Sequence, residues 1–235
     1  VSSVFRFKFV GSLISGFMYL PSSIPWVMTV LSSVYACVIL AATAVVSGAS
    51  EWDQDTLDGM RVRRWMNIEY CAGKIAGQVF CFLVMAAVVL LLSAGIAFFS
   101  SYMILESSSG FLLYPVIICI PAFIFTAGMS MFVTRVVRGQ MLSLMIVMSV
   151  VVASILTADR FFHLFDLASF RMPLLYSRIT GLAFPGLVAR QRLLYLFAGL
   201  LFICASAVVS RRLPGRRSTW ITVSIIALLL LAALA

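Results

Sequence analysis

WVMTVLSSVYACVILAATAVVSG, residues 26–48, carries no charged side chain. At 1.5 Å per residue its helix would be roughly 34 Å long, enough to cross a hydrocarbon core of about 30 Å. Trp26 stands at its end, where an amphipathic ring anchors a span at the membrane interface. Apolar runs of similar character recur at about Ile75–Tyr102, Phe111–Thr134, Gln140–Thr157 and Leu193–Val209. Another starts at Trp220 and is still apolar at Ala235. The expected fold is an all-α polytopic transmembrane helical bundle of about six spans, the last one cut short. A chain that starts at Val1 and stops inside an apolar run is expected to be a piece of a longer protein.

Composition agrees with that reading. Charged residues are 11% of the chain, against about a quarter in a soluble domain, and 63% of residues are hydrophobic. The mean hydropathy is +1.13. A soluble protein of this length could not cover its surface with so few charges. The net charge of +9 would point to nucleic acid in a soluble protein. Here the basic residues sit mostly between the apolar runs, so membrane lipids are the expected partner and nucleic acid is not. The five cysteines are scattered singly with no CxxC pair, which fits small apolar packing residues.

Residues 1–25 are expected to be an interfacial or extracytoplasmic lead-in, with a shortened span as the rival. Phe5, Phe7 and Phe9 alternate with Arg6 and Lys8, and Pro21 and Pro25 punctuate the end. The loops set the orientation. If 49–74 is cytoplasmic, then so are 135–139 and 211–217, and that side holds ten of the 17 basic residues. The other seven are Arg6, Lys8, Arg160, Arg171, Arg178, Arg190 and Arg192, spread over longer segments. The bias places 49–74 inside. The long outer connection, about 158–192, is amphipathic and aromatic and is expected to lie on or dip into the outer face.

One segment breaks the pattern. SEWDQDTLDGMRVRRW, residues 50–65, sorts its charges: Glu51, Asp53, Asp55 and Asp58 first, then Arg61, Arg63 and Arg64. Ser50 followed by Asp53 fits a capping box, and acids first with arginines last complement a helix dipole. The pattern predicts a short cytoplasmic surface helix over 51 to about 62. Two readings stand side by side. The segment is a solvated loop that fixes topology, or it is a docking element for a soluble partner, with sorted charge setting register and association rate.

Residues 51–74 resemble the first cytoplasmic loop of type 2 ABC transporter permeases. The residues that carry the resemblance are Glu51, Asp53, Thr56, Asp58, Tyr70, Gly73 and Lys74. A second similarity lies at VARQRLLYLFAGLLF, residues 188–202, which looks like the entry to the last span of the permease half in large bacterial relatives, some fused to a zinc aminopeptidase. The resemblance covers 26 to about 217 as a permease transmembrane domain, with 218–235 the start of a further transmembrane helix. The family's turn of Thr-Pro-hydrophobic-Ser is altered, with Arg64 at the Pro position and Met66 at the Ser position.

The resemblance implies a multi-pass protein of a bacterial inner (plasma) membrane that does no chemistry itself. It would be the permease of an ATP-driven exporter. An ABC ATPase subunit would dock on the loop, and a second permease half would complete the transporter, as a homodimer or as a pseudo-dimer within a longer chain. The coupling residues it implies are Glu51, Asp53, Thr56, Leu57, Asp58, Arg64, Gly73 and Lys74. The alternative is a non-transporting membrane anchor or assembly protein for a fused or associated extramembrane domain.

Asp159, His163 and Asp166 share a helix-like spacing on the outer side, but a lone histidine in an aromatic loop is more often structural. No metal, cofactor or catalytic residue is expected. Gly73 and Gly77 form a GxxxG, which permits close helix approach, and Pro115 and Pro121 are candidates to kink the third span. The apolar runs hold no Asp, Glu, Lys, Arg or His away from their ends, which disfavours a proton-coupled carrier, and no HExxH is present to support a membrane protease.

Overall fold

The computed structural model describes residues 23–50, 67–99, 108–137, 139–157, 166–167, 176–177, 181–182, 185–209 and 225. They form five helices: α1 (Ser23–Ala49), α2 (Asn67–Phe99), α3 (Ser108–Val137), α4 (Gln140–Thr157) and α5 (Pro185–Val209). Two-residue strands β1 (Tyr176–Ser177) and β2 (Gly181–Leu182) pair antiparallel between α4 and α5, with Tyr176 opposite Leu182. Four of the helices are long and apolar enough to cross a membrane, and α4 is a shorter apolar helix. The chain is a membrane-embedded helical bundle. Of the expected lead-in at 1–25, residues 1–22 lie outside the described residues and 23–25 belong to α1. The surface helix over 51–62 and all of the sixth run except Ile225 also lie outside them.

α4 has the expected bounds. α2 begins at Asn67 rather than Ile75, and α5 begins at Pro185 rather than Leu193. The apolar runs mark only the lipid-immersed part of each helix. Glu69 and Lys74 in α2, and Arg190 and Arg192 in α5, occupy end turns that hydropathy discards. Proline suits the first helical position of α5, since its missing N–H would have no partner there. Residues 185–192 are therefore helix, not the end of the outer loop.

α3 is the hub and packs against every other helix. Of its most apolar stretch 61% is buried, against 28% for α2, so α2 presents most of its circumference to lipid. Phe80, Val84, Met85, Leu91 and Leu92 are exposed there. The core centres on Leu40, Cys37, Ile75, Phe82 and Phe123, with Phe82 edge-on to Phe123 at 6.3 Å. Pro115 and Pro121 both sit inside the unbroken span of α3. Three buried hydroxyls on α3 bond within their own helix. Thr126, Ser130 and Thr134 donate to the carbonyls of Ala122, Thr126 and Ser130, each at 2.7 Å. This spares an apolar interior the cost of unpaired hydroxyls.

The tightest crossing joins α3 to α5. A Cβ on Gly128 would lie 2.7 Å from the carbonyl oxygen of Gly199, and one on Gly199 would lie 2.8 Å from the amide nitrogen of Phe125. Only glycine lets the two backbones meet. Beside Gly73 and Gly77, by contrast, a Cβ would find open space. The GxxxG at 73–77 brings no other described helix close, because both glycines lie on the exposed face of α2, while Cys71 and Ile75 face the bundle. Rings pack around the true crossing, with Phe125 edge-on to Tyr195 at 5.2 Å and to Phe202 at 5.8 Å.

Candidate functional site at the loop-bearing end

Residues 50–66 connect the end of α1 to the start of α2 in sequence. The alternation of helices brings the C-termini of α3 and α5 to the same end. The last four carbonyls of a helix lack intrahelical partners and carry its partial negative charge. Two cations meet them here. Lys74 donates from Nζ to the Ser47 carbonyl, 2.6 Å away, in the last turn of α1. Arg135, at the end of α3, donates from one guanidinium nitrogen to the Ser206 carbonyl of α5 at 3.0 Å, and the same nitrogen reaches the Cys71 sulfur of α2 at 3.1 Å.

The Ser47 side chain is used as well. Its hydroxyl accepts from Gln78 Nε2 at 2.7 Å and donates to the Ala44 carbonyl at 3.1 Å. The Ser50 hydroxyl donates back to the Ser47 carbonyl at 2.9 Å. Ser50 therefore continues the end of α1, and its hydroxyl bond runs backward into that helix. Gly48 fits against Thr134, where a Cβ would come within 3.1 Å of the threonine methyl. The base of the 50–66 loop is thus tied to α1, α2, α3 and α5 by named contacts.

Of the residues the sequence singles out, Glu51, Asp53, Thr56, Leu57, Asp58 and Arg64 lie outside the described residues. Lys74 is placed as the clamp on α1, and Tyr70 packs half-buried against the core. Gly73 is exposed. Arg135 is the residue that sequence reasoning misplaced, as a loop charge. It is helical and only 7% exposed. A signal was available, since Arg135 continues the helical face of Gly128 and Met131, both buried.

At the opposite end Arg192, 4% exposed, holds the segment before β1. Its two terminal nitrogens donate to the carbonyls of Leu167, at 2.9 Å, and Asp166, at 3.2 Å. Gln191 donates to the same Asp166 carbonyl at 3.3 Å. The guanidinium also lies 5.7 Å from the centre of the Tyr195 ring. Next to it an apolar groove of about 350 Å³ runs between α3 and α5, lined by Val116, Ile117, Pro121, Val188 and Leu193 among others. No group of His, Cys, Asp or Glu able to hold a metal ion occurs among the described residues.

The chemistry available at both ends is hydrogen bonding and charge, which positions helices. Compared with protein-family models, with curated proteins and with solved structures, the chain gives no match in any of the three.

Proposed function

We propose that this chain is the membrane-spanning permease part of an ATP-driven exporter of the type 2 ABC class, in a bacterial plasma membrane. The loop-bearing end faces the cytoplasm, on the positive-inside bias, and residues 50–65 dock an ATPase subunit. A second permease half, identical or fused, completes the pathway. The observation that carries this reading is the clamp of Lys74 on Ser47. A push on the loop meets α1 and α2 already joined at its base, so force enters two spans at once. The resemblance of residues 51–74 to a coupling loop points the same way. ATP-driven docking would then shift the bundle between inward- and outward-open populations.

A membrane anchor that uses the same loop for plain docking is the second reading, favoured by the mixed charge of 50–65 alone. Purification of the full protein in mild detergent separates the two. ATPase activity should co-purify, and the double variant Glu51→Lys, Asp53→Lys should lose it while still inserting in the membrane. Absence of any ATPase from the wild-type preparation, with and without nucleotide, would favour the anchor.

A further inference from the structure

α3 and α5 run parallel, and their contacts repeat every seven residues. Pro121 and Arg192 border the same groove, Gly128 meets Gly199, and Arg135 bonds the carbonyl of Ser206. On α5 the three partners are Arg192, Gly199 and Ser206, one stripe at heptad spacing. At the centre of the stripe backbone meets backbone, with Ile124 and Ile203 flanking the contact. Each end is held by a guanidinium bonded to carbonyl oxygens. At 1.5 Å per residue each tether lies roughly 10 Å along the helix from the central contact.

We infer that α5 is a lever, with the Gly128–Gly199 contact as its fulcrum and Arg135 and Arg192 as positioning residues at its two ends. The input is Cys71, in the second turn of α2 and close to the return of the 50–66 loop. Arg135 shares one nitrogen between the Cys71 sulfur and the Ser206 carbonyl. A shift of α2 draws that nitrogen off Ser206 and releases the inner end of α5. The helix then tilts on its glycine, and Arg192 carries the Asp166–Leu167 backbone with it on the opposite face. The readout needs no ATPase and no transported molecule, so it stands apart from the transport reading.

Hydrogen–deuterium exchange of the full chain in lipid nanodiscs tests the lever. In Arg135→Gln the amides near Ser206 should exchange faster, and so should those at Asp166 and Leu167 across the membrane, by about tenfold for one lost charged hydrogen bond. Lys74→Gln unclamps α1 and should leave Asp166 and Leu167 at the wild-type rate. Energetic coupling is reciprocal, so Arg192→Gln should in turn speed exchange at 203–209. That second variant decides the matter if Arg135→Gln does not fold. A change confined to the mutated end in the folded variants, or an equal response to Lys74→Gln, overturns the lever.

Discussion

Lys74 and Ser47 are 27 residues apart in sequence, and the lysine ammonium caps the carbonyl at the end of the helix before it. The bond closes the loop at its base and satisfies one of the carbonyls that α1 leaves open. Lys74→Met should cost about 1–2 kcal/mol, the range for a hydrogen bond from a charged group discounted for partial exposure. Lys74→Arg should recover most of it. Thermal unfolding in detergent checks both, and a Met variant as stable as wild type would show that the clamp is idle.

Glycine positions should divide sharply. Gly199→Ala drives a methyl into the backbone of Phe125 and should destabilise by about 1–3 kcal/mol. Gly73→Ala and Gly77→Ala have open space, and each should gain up to about 1 kcal/mol from helix propensity. If the 73–77 pair lowers stability instead, that face is covered by something other than lipid.

Lipid takes the place of water outside this bundle, so burial acts through packing rather than transfer from water. Phe123→Ala opens the core beside Phe82 and should cost about 3 kcal/mol. Leu91→Ala on the exposed face of α2 should change stability by less than about 0.5 kcal/mol. Equal losses at both sites would place Leu91 in an interface.

Cysteine labelling gives a direct map of burial. Cys81 is exposed, whereas Cys37, Cys71, Cys119 and Cys204 are buried. Cys81 sits mid-helix on the lipid-facing side of α2, where thiolate-dependent labelling is slow, so a small membrane-permeant maleimide should modify it slowly in the folded protein and reach the others only after denaturation. Mass spectrometry of labelled peptides reads the order, and early modification of Cys119 would contradict the packing of α3.

The helices were legible in sequence because a bilayer demands long apolar runs, and α4 was legible to its bounds. Where polar residues enter a helix, legibility failed. The first turns of α2 and α5 read as loop because Lys74 and Arg192 sit in them, and Arg135 read as loop because only Val136 and Val137 follow it before Arg138. Hydropathy counts a charge against a span, yet these charges bond helix-end carbonyls or loop backbone in place of water. The Gly128–Gly199 crossing was not legible, since two glycines on different helices share no sequence pattern. The 73–77 pair looked like a crossing because spacing alone does not tell which face meets a neighbour. The acidic half of the loop is legible only as charge order and resemblance, because its residues lie outside those described.

The hydroxyl ladder of α3 bears on how the protein is made. Thr126, Ser130 and Thr134 are buried hydroxyls of the most enclosed helix, and each already donates within that helix. No neighbour is needed to satisfy those three donors. During synthesis α3 can therefore leave the translocation channel and wait in lipid before α4 and α5 exist, with these three hydroxyls already paired. Assembly of the bundle then becomes a search among inserted helices, ended when Gly199 finds Gly128.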